Sequence, residues 1–114
     1  MAEQIENATI TGTTLGKEDH GIFTCYLHLN GEGWGSAFGG YALDEYQPAA
    51  KRRVGTAYGM EFIGAILRTL EVDSWEQLKG QHCRVATEGI GGRVTKIGHL
   101  IKNKWFDPES LKGL

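Results

Sequence analysis

Two adjoining stretches carry the side chains best suited to recognition chemistry. Gly31-Glu32-Gly33-Trp34-Gly35-Ser36-Ala37-Phe38-Gly39-Gly40-Tyr41 packs five glycines and three aromatics into eleven residues. The basic run Lys51-Arg52-Arg53 follows, and then a glycine-bearing segment of helical spacing over residues 54–70. Glycine lets a ligand or another chain approach the backbone. Arginine offers a planar fork that matches phosphate, and aromatic rings offer faces for bases to stack on. Arg52 and Arg53, with the free backbone N–H groups expected around Gly55, Thr56 and Ala57 at a helix start, would draw an anion such as a phosphate. Trp34 and Tyr41 would stack on a base, Tyr58 completes the ligand set, and Phe38 is assigned to the core. The competing readings are a solvated charge run and ordinary packing of the two aromatics. The GxxxxGK[ST] spacing of an NTPase is absent, as is a GxGxxG between strand and helix.

A second basic group, Arg84, Arg93, Lys96, His99, Lys102 and Lys104, occupies the last strands and the tail. If Arg84 and Arg93 share a sheet face they form an anion-binding floor; otherwise this is surface charge. Asp19-His20 raises the prospect of acid–base chemistry. Sequence neighbours usually point apart, however, so a turn with a structural histidine is the expected outcome. No serine or cysteine stands in a nucleophile setting, and His28, His82 and His99 lack metal-ligand spacing. Cys25 and Cys83 form no CxxC. The expectation is a binding protein with no catalytic residues, no metal and no cofactor.

The elements that must position these groups follow from patterning. A Thr- and Ile-rich stretch over residues 5–15 favours a strand. Residues 16–21 read as a turn. Residues 22–30 alternate cleanly: Phe23, Cys25, Leu27 and Leu29 face a core, and Tyr26 and His28 face outward. Asn30-Gly31 is a hairpin signal, so residues 34–43 return as a third strand. Pro48 suits the start of a helical turn over residues 48–51. In residues 54–70, Val54, Tyr58, Phe62, Ala65, Ile66 and Leu70 fall near one face that should cover the meander. Gly55, Gly59 and Gly64 cost that helix about 1 kcal/mol each relative to alanine. They point either to contact with a second copy or to an aromatic residue beneath them. Ser74 with Gln77 fits a capping box stopped by Gly80. Strands follow over residues 82–88 and 93–101, joined by a turn at 89–92, with a bulge at Gly98. Trp105 and Phe106 should dock on the core or on a neighbour. The fold class is α+β: a five-stranded, mainly antiparallel sheet in the order β-β-β-α-β-β, covered on one face by one main helix. A homo-oligomer through the helix or the open sheet face is expected.

At 114 residues the chain, 1–114, makes a single domain. Its net charge of −2 speaks against a general nucleic-acid coat. Glycine, at 17 residues, is about twice the usual share, which points to tight turns and close backbone contacts. The N-terminal residues carry no signal-peptide pattern, no apolar run approaches a membrane span, and the cysteine usage fits a reducing compartment.

The chain also resembles a family of small proteins encoded by bacteriophages and prophages. The resemblance covers most of the chain. It rests on Ile5-Glu6-Asn7-Ala8-Thr9-Ile10, Leu15-Gly16, Glu18-Asp19-His20-Gly21-Ile22-Phe23-Thr24, Phe38-Gly39-Gly40-Tyr41-Ala42-Leu43-Asp44, Arg53-Val54-Gly55-Thr56-Ala57-Tyr58-Gly59-Met60-Glu61-Phe62-Ile63, Ser74-Trp75-Glu76, Ile97-Gly98-His99 and Lys104-Trp105-Phe106. It implies a host bacterial cytoplasm and a part in countering host defence. It implies no reaction and no site residues. The leading expectation is capture of a small nucleotide-derived immune signal, of cyclic nucleotide or cyclic ADP-ribose type, without turnover. The ligand set is Trp34, Tyr41, Arg52, Arg53, Thr56, Tyr58, Arg84 and Arg93. The alternatives are a protein–protein inhibitor of a defence complex and a single-strand nucleic-acid accessory protein. Nucleic acid ranks below the small ligand on net charge.

Overall fold

A computed structural model describes residues 3–89 and 92–114. Eight strands and one long helix follow in the order β1 (Gln4–Glu18), β2 (Ile22–Gly31), β3 (Trp34–Gly39), β4 (Asp44–Gln47), β5 (Arg52–Gly55), α1 (Ala57–Leu70), β6 (His82–Thr87), β7 (Val94–His99) and β8 (Trp105–Phe106). Single 3₁₀ turns stand at Trp75–Gln77 and Pro108–Leu111. The class is α+β, as expected, but the main sheet has six strands rather than five, all antiparallel, in the order β3-β2-β1-β6-β7-β8. The sixth is the tail: Trp105 pairs with Gly98 and Phe106 with Ile97.

The long first strand organises this sheet. Its beginning pairs with β6 and the rest with β2. Ile10 faces Leu29 and Gly12 faces His28, leaving Thr11 as an extra residue. Such a bulge bends and twists a strand. The sheet coils until β3 comes alongside β7, so it wraps a core instead of offering one open face. Phe38, Phe62 and Phe106 meet at the centre, with ring centroids 5.0–6.0 Å apart and the Phe106 ring edge-on to the other two. The alternation of β2 holds from Cys25 to Leu29, where Cys25, Leu27 and Leu29 are buried and His28 is exposed; at its start Phe23, expected in the core, is only partly buried, and Thr24, expected to face outward, is buried with its hydroxyl donating to the Tyr41 carbonyl at 2.7 Å.

Several boundaries differ from expectation. The turn after β2 is Glu32-Gly33, with Gly33 at φ 76°, so Asn30 and Gly31 remain in the strand. Residues 48–51 form a turn between β4 and β5, not a helical turn, and Arg52, Arg53, Val54 and Gly55 are strand. Helix α1 therefore begins at Ala57, capped by Thr56, whose Oγ1 accepts from Gly59 N at 2.9 Å. It packs chiefly on β7 and β8 rather than across the meander. Gly59 is explained within one chain: a Cβ there would lie 2.0 Å from the Leu43 carbonyl oxygen, so backbone, not an aromatic ring, sits beneath it. The irregularity expected at Gly98 falls between Ala86 and Thr87. Gly98 instead makes room for the Trp105 ring, which a Cβ would meet at 2.6 Å. The turn expected over residues 89–92 lies partly outside the described residues. Gln77 Oε1 accepts from Ser74 N at 3.1 Å, as a capping box requires, but the element is a single 3₁₀ turn. No helix among the described residues is long and apolar enough to cross a membrane.

Candidate functional site

The β1–β2 hairpin, the β4–β5 hairpin and the start of α1 enclose a cleft of about 860 Å³. This lies within the range of small-molecule sites. Phe23, Leu43, Met60 and Ile63 line it with apolar surface, and Met60 stands 71% exposed. Lys17, Arg52 and Arg53 bring three cations to it against the single carboxylate of Asp44. The first turn of α1 adds no acidic residue.

The two arginines differ in character. Arg53 Nε donates to Asp44 Oδ1 at 2.9 Å and Nη2 to the Asp44 carbonyl at 3.0 Å. The hydrogen bond from Arg53 holds the Asp44 carboxyl below its ordinary range, and Asp44 raises the guanidinium in turn. Asp44 Oδ1 also accepts from Phe23 N at 3.2 Å, so this pair ties the β4–β5 hairpin to β2. Arg52 is exposed; among the described residues its guanidinium makes one bond, Nη1 to the Arg53 carbonyl at 3.2 Å, and has no carboxylate partner. Lys17 and Arg52 are thus the cations a ligand can engage. Thr56 lines the cleft too, although its hydroxyl is occupied by the helix cap and by donation to the Leu43 carbonyl at 3.2 Å.

The remaining predicted residues lie elsewhere. Tyr41 packs on Phe62 at 5.2 Å, and Arg93 Nη2 donates to its hydroxyl at 2.9 Å while the guanidinium lies 5.5 Å from the ring centroid. Tyr58 packs on Phe62 at 5.9 Å, and desolvation is the first cause of its raised phenol pKa. Trp34 packs against the core and borders a separate hollow of about 280 Å³ with Glu6, Glu32 and Ser36. Arg84 donates to the carbonyls of His99 and Lys102, each at 2.8 Å, and its guanidinium stands 4.9 Å from the Trp105 ring centroid. It staples β6 to the tail, and it does not form a common floor with Arg93. Of the eight predicted residues, Arg52, Arg53 and Thr56 come together in the cleft, and Tyr41 and Arg93 meet each other at a different place.

Sequence reasoning missed Lys17, Phe23, Met60 and Ile63 as cleft residues. The available signal was the hairpin itself: its turn is Asp19-His20-Gly21, and Lys17 pairs with Phe23 in register. Asp19 and His20 do meet, contrary to expectation, with Oδ1 and Nδ1 2.8 Å apart. Backbone φ values of 23° and 61° bring the neighbours round to one side. Both side chains are more than 80% exposed, at the tip of the hairpin, and His20 borders the cleft.

No protein-family model matches this chain, and no match was found among curated proteins or solved structures.

Proposed function

We propose that the protein is a stoichiometric binder of a small nucleotide-derived anion, held in the cleft between the two hairpins and α1. The observation that carries this reading is an apolar cleft lined by two cations, Lys17 and Arg52, that have no carboxylate partner among the described residues. Phosphate would be held by Arg52 and Lys17, with Arg53 contributing its field while fixed by Asp44. Phe23, Met60 and Ile63 would take the flat, less polar part of the ligand. Trp34 and Tyr41 lie away from the cleft and take no part; stacking falls to Phe23, which lies half-buried on its lining. Removal of an immune signal from an infected cell is the biological role consistent with the phage-type resemblance, and that role rests on the resemblance alone.

Isothermal calorimetry of the purified protein against cyclic mono- and dinucleotides and ADP-ribose derivatives tests the proposal. One ligand per chain is expected, recovered chemically unchanged. Arg52→Ala, at an exposed position, should weaken it about tenfold, the value of one charge-assisted contact. Absence of heat with every member of the panel would refute the proposal.

A further inference from the structure

The tip of the β1–β2 hairpin carries a pair of side chains that the phosphate contacts described above leave unused. The chain turns there through Asp19, His20 and Gly21, all in the left-handed region at φ 23°, 61° and 78°. Glycine accepts that conformation freely, whereas aspartate and histidine are strained by it. The turn brings Asp19 Oδ1 to 2.8 Å from His20 Nδ1, with the side chains 84% and 87% exposed. A charged pair in open water adds little stability. Burial therefore does not offset the strain, and backbone outliers of this kind gather where ligands are handled. His20 and Gly21 line the cleft, together with Lys17 of the same hairpin and Arg52 and Arg53 of the β4–β5 hairpin.

The bond to Asp19 decides what the ring can offer. An ionised carboxylate only accepts, so Nδ1 carries the hydrogen and Nε2 is the nitrogen left for a ligand. In the neutral ring Nε2 is a bare acceptor, which a phosphate oxygen repels. Once protonated it is a charge-assisted donor, and the bond to Asp19 stays intact. Among the described residues, the other charged groups lining this space are Lys17 from β1, Asp44 from β4, and Arg52 and Arg53 from β5, with none from α1. Asp44 is bound to Arg53, which holds its carboxyl below the ordinary range. Lysine and arginine keep their charge across the neutral range, whereas histidine changes its own there. We propose that His20 is a phosphate contact of the cleft, donating from Nε2 while Asp19 holds the ring, and that ligand binding draws a proton onto the imidazole. This rests on the reading of the cleft as an anion site and adds a third cation to Lys17 and Arg52.

Calorimetry with ADP-ribose and cyclic di-AMP tests it, since the phosphates of both stay fully ionised near neutral pH. At about pH 7 the apparent heat should change with the ionisation enthalpy of the buffer, as proton uptake requires. Affinity should rise about tenfold from about pH 8 to about pH 6, the value of one charge-assisted contact. His20→Asn suits the left-handed turn and carries no charge. It should bind at about pH 6 as weakly as the parent does at about pH 8, with no dependence on pH or buffer. That variant keeps His28, His82 and His99, so the dependence it loses belongs to His20. Affinity lowered equally at both pH values in His20→Asn, as a purely structural role would give, overturns the proposal. Binding by the parent without proton uptake does the same, and either result leaves the cleft reading standing. If neither ligand binds the parent, the proposal fails; the cleft reading falls only if the whole nucleotide panel is silent.

Discussion

Replacing Gly59 with alanine should destabilise the protein, although alanine is the better helix former. The added Cβ would lie 2.0 Å from the Leu43 carbonyl oxygen and within 2.8 Å of the Leu43 carbonyl carbon and Cα. All three are backbone atoms, and Cβ contacts under 3.0 Å essentially do not occur. Helix and loop must therefore separate by about 1 Å. Leu43 is not free to yield: its N–H donates to the Phe23 carbonyl at 2.8 Å, and its carbonyl accepts from Thr56 N and Thr56 Oγ1, both at 3.2 Å. Overpacking of this kind costs about 1–3 kcal/mol, and weakening hydrogen bonds adds about 1 kcal/mol. Helix propensity returns about 1 kcal/mol. The net loss is about 2 kcal/mol, or a melting temperature lower by about 8 °C at this chain length. Gly64 supplies the control. A Cβ there meets only the Arg68 guanidinium, at 3.0 Å, and that flexible tip can move. Gly64→Ala should stabilise by about 0.5–1 kcal/mol. Urea unfolding of the two variants beside the parent decides the matter: a Gly59→Ala midpoint equal to or above the parent's would refute the packing described at Leu43.

Two further outcomes follow from titrating groups. Hydrogen bonds from Lys102 and then Lys104 lower the Glu71 carboxyl from 4.5 to about 2. A depressed carboxylate stabilises above its unfolded pKa and loses that contribution as pH falls through its folded one. Stability should therefore decline from about pH 4.5 toward pH 2, with Asp44 acting in the same direction; Glu71→Gln should flatten the profile in that window when followed by circular dichroism. Burial raises both thiols, Cys25 and Cys83, to about 12. With exposures of 1% and 0%, neither should react with a disulfide reagent at pH 8 until urea unfolds the chain; fast native-state labelling would contradict their place in the core.

Much of the fold could be read from local pattern, and what escaped was set by contacts between distant residues. The alternation of β2 was plain because Cys25, Leu27 and Leu29 are buried in turn, and Phe62, Ile66 and Leu70 were plain because α1 buries a stripe at helical spacing. The β4–β5 hairpin escaped because none of its strand residues is buried and most are polar, so no hydrophobic period marks it. The bulge at Thr11 escaped because its cause is the pairing of β1 with two partners. At the site, the arginine run was visible, but its division into a bound Arg53 and an unpaired Arg52 depends on Asp44, nine positions away. Tyr41 and Arg84 looked available for ligand, and tertiary packing gave each a partner within the chain.

The double pairing of β1 also sets an order of assembly. The meander β1–β2–β3 closes through neighbouring hairpins, so it can form as soon as its residues are present. The first residues of β1 must wait for β6: Thr9 bonds to His82 across 73 positions. Long-range pairings of this kind are slow, since the chain entropy is lost before the contact rewards it. On a ribosome, the segment from Gln4 to Thr9 would remain an unpaired edge until the last third of the chain had emerged. A chain halted before β6 would present that edge, with Ala8 uncovered, to any strand nearby.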